Sequence, residues 1–356
     1  MPCVSVHIVT HNSHPFLDAC MRSLEAQTFQ DFSVLVIDNA SRDSSAEFIL
    51  QEWPTVRVVK NRENLGYARA HNQAIHFTDS IYVATLNPDI VLHEKFLEKI
   101  VLDMDREVHA GSASAKLFRL AGNPHELTEL SFTDVLDSTG IIYDRKRFFR
   151  ERGAGEVDRG QYDHARSDTK ALKRAAPKDG SILGPSGAAA MYRRGALDAC
   201  ALSFPHAPSQ YFDELYFMYK EDIDLAWRLM SFGWQTIFVP SAWGYHYRNI
   251  AATDSSLTSI FKDHRRRSSF FAHYSYRNHW YTLIKHVRIF KMWKDITWIF
   301  LWEAGKMLYL LFTKPFVLIH AWSDIVKNWG GLMERRKQII GRGAHLPTKT
   351  DVANNE

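Results

Sequence analysis

Hydrophobic residues in the first hundred positions come in two rhythms. Short unbroken runs at Val4–Val9, Val34–Asp38, Val56–Val59 and Ile81–Leu86 alternate with stretches of helical period at Phe16–Ala26, Ser44–Gln51, Tyr67–Phe77 and His93–Asp105. Unbroken apolar runs of strand length mark strands buried on both faces, and strand–helix–strand spacing marks βαβ units. The expectation is an α/β, Rossmann-like fold: a mostly parallel central sheet flanked by helices. Right-handed crossovers then bring the loops at 10–12, 38–43 and 87–89 to one edge. In the fourth run, Asn87-Pro88-Asp89 stops the strand abruptly, because Pro88 cannot donate to a ladder and pushes Asn87 out of the helical region. Asp89 is thereby held just past the carboxyl end of a central strand, where open α/β sheets bind ligands.

From Gly122 to Lys178 the pattern fades into polar, charged sequence, expected to form an irregular insertion of long loops. Order returns at Ser181–Tyr192, with a helix from Glu221 and a strand over Trp234–Val239. The tail from Phe270 is aromatic and helical in period. The expected division is 1–256 (a nucleotide half 1–121, the insertion 122–180 and a catalytic half 181–256), then a helical region 257–356.

Composition narrows the function classes. A net charge of +4 on 356 residues favours no particular partner as a whole. Locally, Lys262–Lys294 holds nine Lys or Arg against the single acid Asp263, which suits a polyanionic surface, nucleic acid or anionic lipid. No nucleic-acid-binding module accompanies that segment, so lipid is favoured. Three cysteines without a Cys-x-x-Cys argue against a disulfide framework or thiolate metal site and for a reducing setting. No secretory signal is visible at the start of the sequence. The first strand–helix turn reads Thr10-His-Asn-Ser-His-Pro15 rather than Gly-x-Gly-x-x-Gly, which excludes a dinucleotide site there, and no P-loop is present.

Three constellations carry candidate chemistry. Thr10-His-Asn12, Asp38-Asn-Ala-Ser41 and Asn64-Leu-Gly66 put small polar groups at strand ends. Asp38 can accept from a nucleobase N–H, and Gly66 permits close backbone approach to a ligand; Asp38 and Ser41 would also serve as ordinary turn caps. Glu221-Asp222-Ile-Asp224 begins a helix; Asp224 and Arg228 read as an i,i+4 ion pair, whereas Glu221 and Asp222 in an aromatic setting are candidates for general-base work. The macrodipole is expected to keep Asp222 ionised with a lowered pKa. His246, following a strand, could pair with Asp89 on a divalent cation, Mg²⁺ or Mn²⁺ rather than structural zinc.

Taken in order, Val9-Thr-His-Asn12, Val36–Ser41, Glu63-Asn-Leu-Gly66, Leu86-Asn-Pro-Asp89, Gly184–Ala188, Phe217–Arg228, Gly233-Trp234 and His246 resemble the family-2 glycosyltransferases, in particular the rhamnosyltransferase-like branch of bacterial surface-polysaccharide synthesis. The resemblance implies a GT-A fold and inverting transfer from a nucleotide-activated sugar. It implies that Asp222, with Glu221, supplies the general base, and that Asp89 and His246 hold the metal. It also implies that Thr10, Asn12, Asp38, Asn64, Gly66, Arg69 and Asn87 line the nucleotide-sugar site, and that Gly187, Ala188 and Trp227 meet the acceptor. Within the insertion, the stretch Asp137-Ser-Thr-Gly140 is expected to meet the acceptor, Asp137 first. The family's metal motif is often Asp-x-Asp; Asn87 occupies its first position here and is a weaker ligand for a hard cation. The implied partners are dTDP-rhamnose or another nucleoside-diphosphate sugar and a polyprenyl-diphosphate-linked glycan.

Between Lys294 and Lys314 the residues Asp295, Glu303, Lys306 and Thr313 form one narrow polar stripe on an otherwise apolar, aromatic helix. An interfacial helix on the membrane is favoured over a span or a buried core helix. The expected setting is peripheral, on the cytoplasmic face of the bacterial plasma membrane. Two readings of another class are a non-catalytic nucleotide-sugar or glycan-binding protein on the same fold, and a membrane-tethered scaffold acting through its tail.

Overall fold

The computed structural model describes residues 1–124, 126–163, 181–247, 268–288 and 292–342. Strands β1 (Val4–Thr10), β2 (Phe32–Asp38), β3 (Arg57–Lys60) and β4 (Tyr82–Leu86) alternate with helices α1 (His14–Glu25), α2 (Ser45–Glu52) and α3 (Gly66–Phe77). β5 (Ile90–Leu92), α4 (Phe96–Arg106) and the long β6 (Ala110–Leu120) follow. Val4, Val6, Ile8, Tyr82 and Leu86 are buried against Leu17, Leu24 and Ile100, so the unbroken apolar runs lie between two helical layers, as their composition requires.

Among the described residues the central sheet has nine strands, in the order β3-β2-β1-β4-β10-β6-β13-β5, with β7 paired to β6. β1 to β4 are parallel. β10 (Ala189–Arg193) lies antiparallel between β4 and β6, while β13 (Gln235–His246) runs parallel to β6 and antiparallel to β5. The sheet is therefore mixed rather than mostly parallel.

The stretch expected to be irregular contributes β7 (Phe132–Ser138) to that sheet and folds β8 (Ile141–Tyr143) onto β9 (Phe149–Glu151). Its charges disguised it: Asp137, Arg147 and Arg152 are buried and engaged inside the protein. Residues 164–180 of the insertion lie outside the described part.

Helix α5 (Arg194–Cys200), the pair β11 (Leu202–Phe204) and β12 (Ala207–Gln210), and helix α6 (Glu221–Ser231) complete the first part. Among the described residues four helices follow: α7 (Ser269–His286), α8 (Trp293–Thr313), α9 (Pro315–Lys327) and α10 (Trp329–Arg342). They pack on the sheet domain through ions as well as apolar contacts. Lys285 of α7 lies 2.5 Å from Asp213 and 2.6 Å from Asp224, and Arg335 of α10 lies 2.8 Å from Asp213. The basic stretch 262–294 is thus spent partly inward: Lys285 is fully buried and Arg277 pairs with Asp324. Lys262, Arg265, Arg266, Arg267 and Lys291 lie outside the described residues. No described helix is long and apolar enough to cross a membrane.

Candidate active site

Parallel register aligns the carboxyl ends of three strands. Thr10 stands opposite Asp38, and Ile8 opposite Leu86, so the segments after β1, β2 and β4 leave the sheet at one edge. Asp38 is buried; Oδ2 accepts from the Ser41 N–H at 3.3 Å, while Oδ1 is buried without a partner in the protein. Thr10 is buried too, with Oγ1 in the same unpartnered state and its carbonyl accepting from the Asn39 N–H. Asn12 takes a positive φ of 54°, a conformation asparagine tolerates, and its Oδ1 accepts from the Arg42 N–H at 2.8 Å. Asn39 ties in the third loop, donating to Asn64 Oδ1 at 2.9 Å and accepting from the Leu65 N–H at 3.0 Å. Arg69 is exposed and lies 3.8 Å from Glu214.

Gly66 is needed for a different neighbour than expected. At its φ of +80° a Cβ would sit 2.5 Å from both the carbonyl oxygen and the ring of Phe217. The close approach is to the loop before α6, whose Phe217 carbonyl accepts from the Tyr67 N–H at 2.6 Å. The loop after β3 and the loop before α6 are thus clamped together.

Asp89 enters a chain of three side chains. β13 pairs with β5 so that His246 faces Ile90, and the Tyr247 N–H donates to the Asp89 carbonyl at 2.9 Å. His246 Nε2 lies 3.4 Å from Asp89 Oδ2, and Nδ1 lies 2.8 Å from Asp137 Oδ2. Burial alone would lower the imidazole pKa; the hydrogen bonds to Asp137 and Asp89 outweigh it and push the pKa up to about 9. Asp137 is 0% exposed, so it cannot meet an acceptor as expected; it orients the ring of His246. Asp89 Oδ1 is buried with no partner, an anionic oxygen that a hard cation would satisfy. Among the described residues no three His, Cys, Asp or Glu side chains converge as a cage. Asp89 fits a cation that takes its remaining ligands from substrate, and His246 can join it through Nε2 only where the cation displaces the proton that the two carboxylates otherwise hold on the ring.

The carboxylate of α6 is reached from Asn87, half-buried, whose N–H donates to the Ala188 carbonyl at 2.8 Å. Next to buried Ala188, the Gly187 N–H donates to Asp222 Oδ2 at 3.2 Å, and the Gly187 carbonyl accepts from the Tyr67 hydroxyl at 2.7 Å. A Cβ on Gly187 would lie 3.0 Å from that Asp222 oxygen, so the close approach is what lets the amide reach it. Gly187 and Ala188 therefore serve here as the backbone support of Asp222.

Asp222 follows a strained turn: Phe217, Tyr219 and Lys220 all have φ between 62° and 69°. Asn278 of α7 holds that turn, its Nδ2 lying 2.7 to 2.9 Å from the carbonyls of Tyr216, Met218 and Tyr219. Tyr274 stacks on Phe217 at 5.1 Å. Burial pushes the Asp222 pKa up, against the hydrogen bonds from Ile223 and Gly187 that pull it down. The expected lowering by the helix macrodipole is overturned, because desolvation outweighs it. Glu221 is pushed up to about 8, first by burial and then by the charge of Asp222, and its Oε2 is buried without a partner.

Comparison with known proteins gives the family and the fold. The sequence profile of glycosyl transferase family 2 matches residues 5–200. The chain belongs to that family. It is 28% identical over 255 residues, 67% of this chain and 74% of the other, to the N-acetylglucosaminyl-diphospho-decaprenol L-rhamnosyltransferase of Mycobacterium tuberculosis. Among solved structures it resembles GalNAc-T7, crystallised with UDP, GalNAc and Mn²⁺, at a TM-score of 0.53 and 12% identity, over 80% of this chain and 48% of that one. The fold is therefore the GT-A sheet with flanking helices expected from the sequence, and the chain is a glycosyltransferase.

One further acid of this glycosyltransferase does other work. Asp224 is fully buried between Arg228 at 3.0 Å, Lys285 at 2.6 Å and His286 Nε2 at 2.7 Å. Burial would raise its pKa; Lys285 and Arg228 hold it well below the usual range. The ion pair with Arg228 is as expected, but it belongs to a larger network. Trp227, expected to meet the acceptor, is 3% exposed and stacks on His286 at 4.9 Å and on Tyr143 at 6.0 Å. Asn278 and Lys285 were missed, since nothing in a tail read as helical assigns a side chain to a loop some sixty residues upstream.

Proposed function

We propose that this glycosyltransferase moves L-rhamnose, with inversion, from dTDP-rhamnose to a polyprenyl-diphosphate-linked glycan in cell-surface polysaccharide synthesis. It works peripherally on the cytoplasmic face of the plasma membrane. The donor and acceptor rest on the family resemblance and on the name of the mycobacterial relative. One observation carries the site: Asp89 and Asp222 are joined through Asn87, Ala188 and Gly187 across a single hydrogen-bonded strip at the sheet edge.

In this reading Asp38 accepts from the nucleobase N–H through its unpartnered oxygen, and the Asn12, Asn64 and Gly66 loops wall the nucleoside. Asp89 and His246 would hold Mg²⁺ or Mn²⁺. When bound, the cation neutralises the charge that gathers on the departing diphosphate. The acceptor hydroxyl attacks the anomeric carbon from the face opposite the diphosphate, and its proton passes to a carboxylate oxygen of Asp222. A raised pKa makes Asp222 a stronger base than a solvated aspartate. Glu221, held protonated beside it at neutral pH, keeps a second negative charge away from Asp222.

A thermal-shift panel of nucleotide sugars, with and without Mn²⁺, tests the proposal. It expects the largest stabilisation from dTDP-rhamnose and a smaller one without the cation. A larger shift from another donor would replace the sugar, and a shift unchanged without Mn²⁺ would remove the role given to Asp89.

A further inference from the structure

The polarity of α8 faces inward. Asp295, 4% exposed, lies 2.9 Å from Arg145 and 3.2 Å from Arg147. Glu303, 3% exposed, lies 2.8 Å from His279 Nε2 and 2.6 Å from Lys306. The charged members of the polar stripe are consumed by the protein, and the face turned to solvent is largely apolar. Phe300, Leu301, Leu308 and Phe312 are exposed there, and Phe316 and Ile319 continue the patch on α9; Phe312 is 79% exposed. A soluble surface rarely presents so large a continuous apolar area without an occupant.

The charges around the patch say which occupant. Three acids occur between Met292 and Asn328: Asp295 and Glu303 are buried, and Asp324 is paired with His273 and Arg277. Lys294, His320 and Lys327 are exposed. Between Met292 and Asn328 the surface is thus apolar, with lysines at its rim and no unpaired carboxylate, flanked by the exposed tryptophans Trp293, Trp298 and Trp329. A second copy would bring like charges to the same rim. An anionic bilayer satisfies all three features: acyl chains for the apolar face, the headgroup boundary for tryptophan, and phosphate for lysine.

We propose that the outer face of α8 and α9 seats the enzyme on an anionic membrane surface, with Phe312 and Phe316 inserted past the headgroups. This rests on the membrane-peripheral part of the proposed function and gives it residues. The seat is tied to the chemistry through α7: His279 is bonded to Glu303 of α8, and the adjacent Asn278 holds the turn before Asp222. An acceptor anchored in the same membrane would therefore meet a catalytic loop held at a set height above it.

Vesicle flotation of the full chain tests the seat, with phosphatidylcholine alone and with added phosphatidylglycerol. The wild type is expected to float with the anionic vesicles, and the variant Leu308→Gln, Phe312→Ser, Phe316→Ser to lose at least ~10-fold of its bound fraction. All three side chains are exposed, so the melting temperature should not change. Tryptophan quenching by brominated lipid gives the answer without substitution, with quenching expected in the wild type. The seat is overturned if the wild type stays with the soluble fraction and is not quenched, if the variant floats as well as the wild type, or if light scattering shows a dimer that the variant splits. Titration with nucleoside diphosphates separates the two readings. A chain that floats but binds none of them refutes the transferase proposal alone, and one that binds dTDP but does not float refutes the seat alone.

Discussion

Asp222 and Asp224 stand two residues apart on α6 and are used in opposite ways. Asp224 is closed in by Arg228, Lys285 and His286, so its charge is fully met and its pKa is depressed. Asp222 has only two backbone amides, and the adjacent Glu221 keeps a buried oxygen without a partner. Burial raises the pKa of both Glu221 and Asp222. A buried acid surrounded by cations holds the fold together, whereas one left partly unmet is available for a substrate. The same division separates Asp213, held by Lys285 and Arg335, from Asp89 and Asp38, each with an unpartnered oxygen at the sheet edge.

That comparison can be broken at either end. Lys285→Met strips the common partner from Asp213 and Asp224 and is expected to destabilise the fold by about 3–5 kcal/mol, as for a broken buried ion pair. Urea unfolding measures it, and a loss below about 1 kcal/mol would mean the network is not structural. Asn278→Ala removes the bonds to three carbonyls of the strained turn; turnover is expected to fall ~10–100-fold while donor affinity holds, since the turn positions Asp222 rather than the nucleotide. Steady-state kinetics with a donor titration separates the two effects, and equal losses in both would contradict the assignment.

The pH dependence of stability turns on Glu221. Its folded pKa of about 8 lies above the ordinary 4.5, so the fold favours the protonated form. Below pH 4.5 the group is neutral in both states and costs nothing. As pH rises from 4.5 to 8 the unfolded chain ionises first and stability falls; above 8 the cost is constant. Glu221→Gln should flatten the stability–pH curve in that window, and parallel curves for the two proteins would refute the raised pKa.

The parallel half of the fold was legible because strands buried on both faces print as unbroken apolar runs, and Pro88 marks where one of them must end. β7 to β9 were not, because Asp137, Arg147 and Arg152 look like solvent-facing loop residues until their partners are known. Asp38, Asp89, Asp222 and His246 stand at strand ends or a helix start, and the structure brings Asp89 to His246 as expected. Trp227 and Asp137 carry the same kind of signal yet are taken up within the protein, Trp227 stacked on His286 and Asp137 bonded to His246, since residue type and spacing do not report partners. Helical period likewise revealed the stripe Asp295–Glu303–Lys306 but not which way it faces; that depends on Arg145, Arg147 and His279, all distant in sequence.

The most direct test sets Asp222→Asn beside Asp224→Asn, reading nucleoside-diphosphate release with donor and acceptor together with the melting temperature. The account predicts that Asp222→Asn keeps its melting temperature and loses ~10³-fold in turnover, the scale of a removed general base. It predicts that Asp224→Asn melts markedly lower. An Asp222→Asn enzyme that turns over at a rate near the wild type would contradict the central claim that this carboxylate accepts the acceptor's proton.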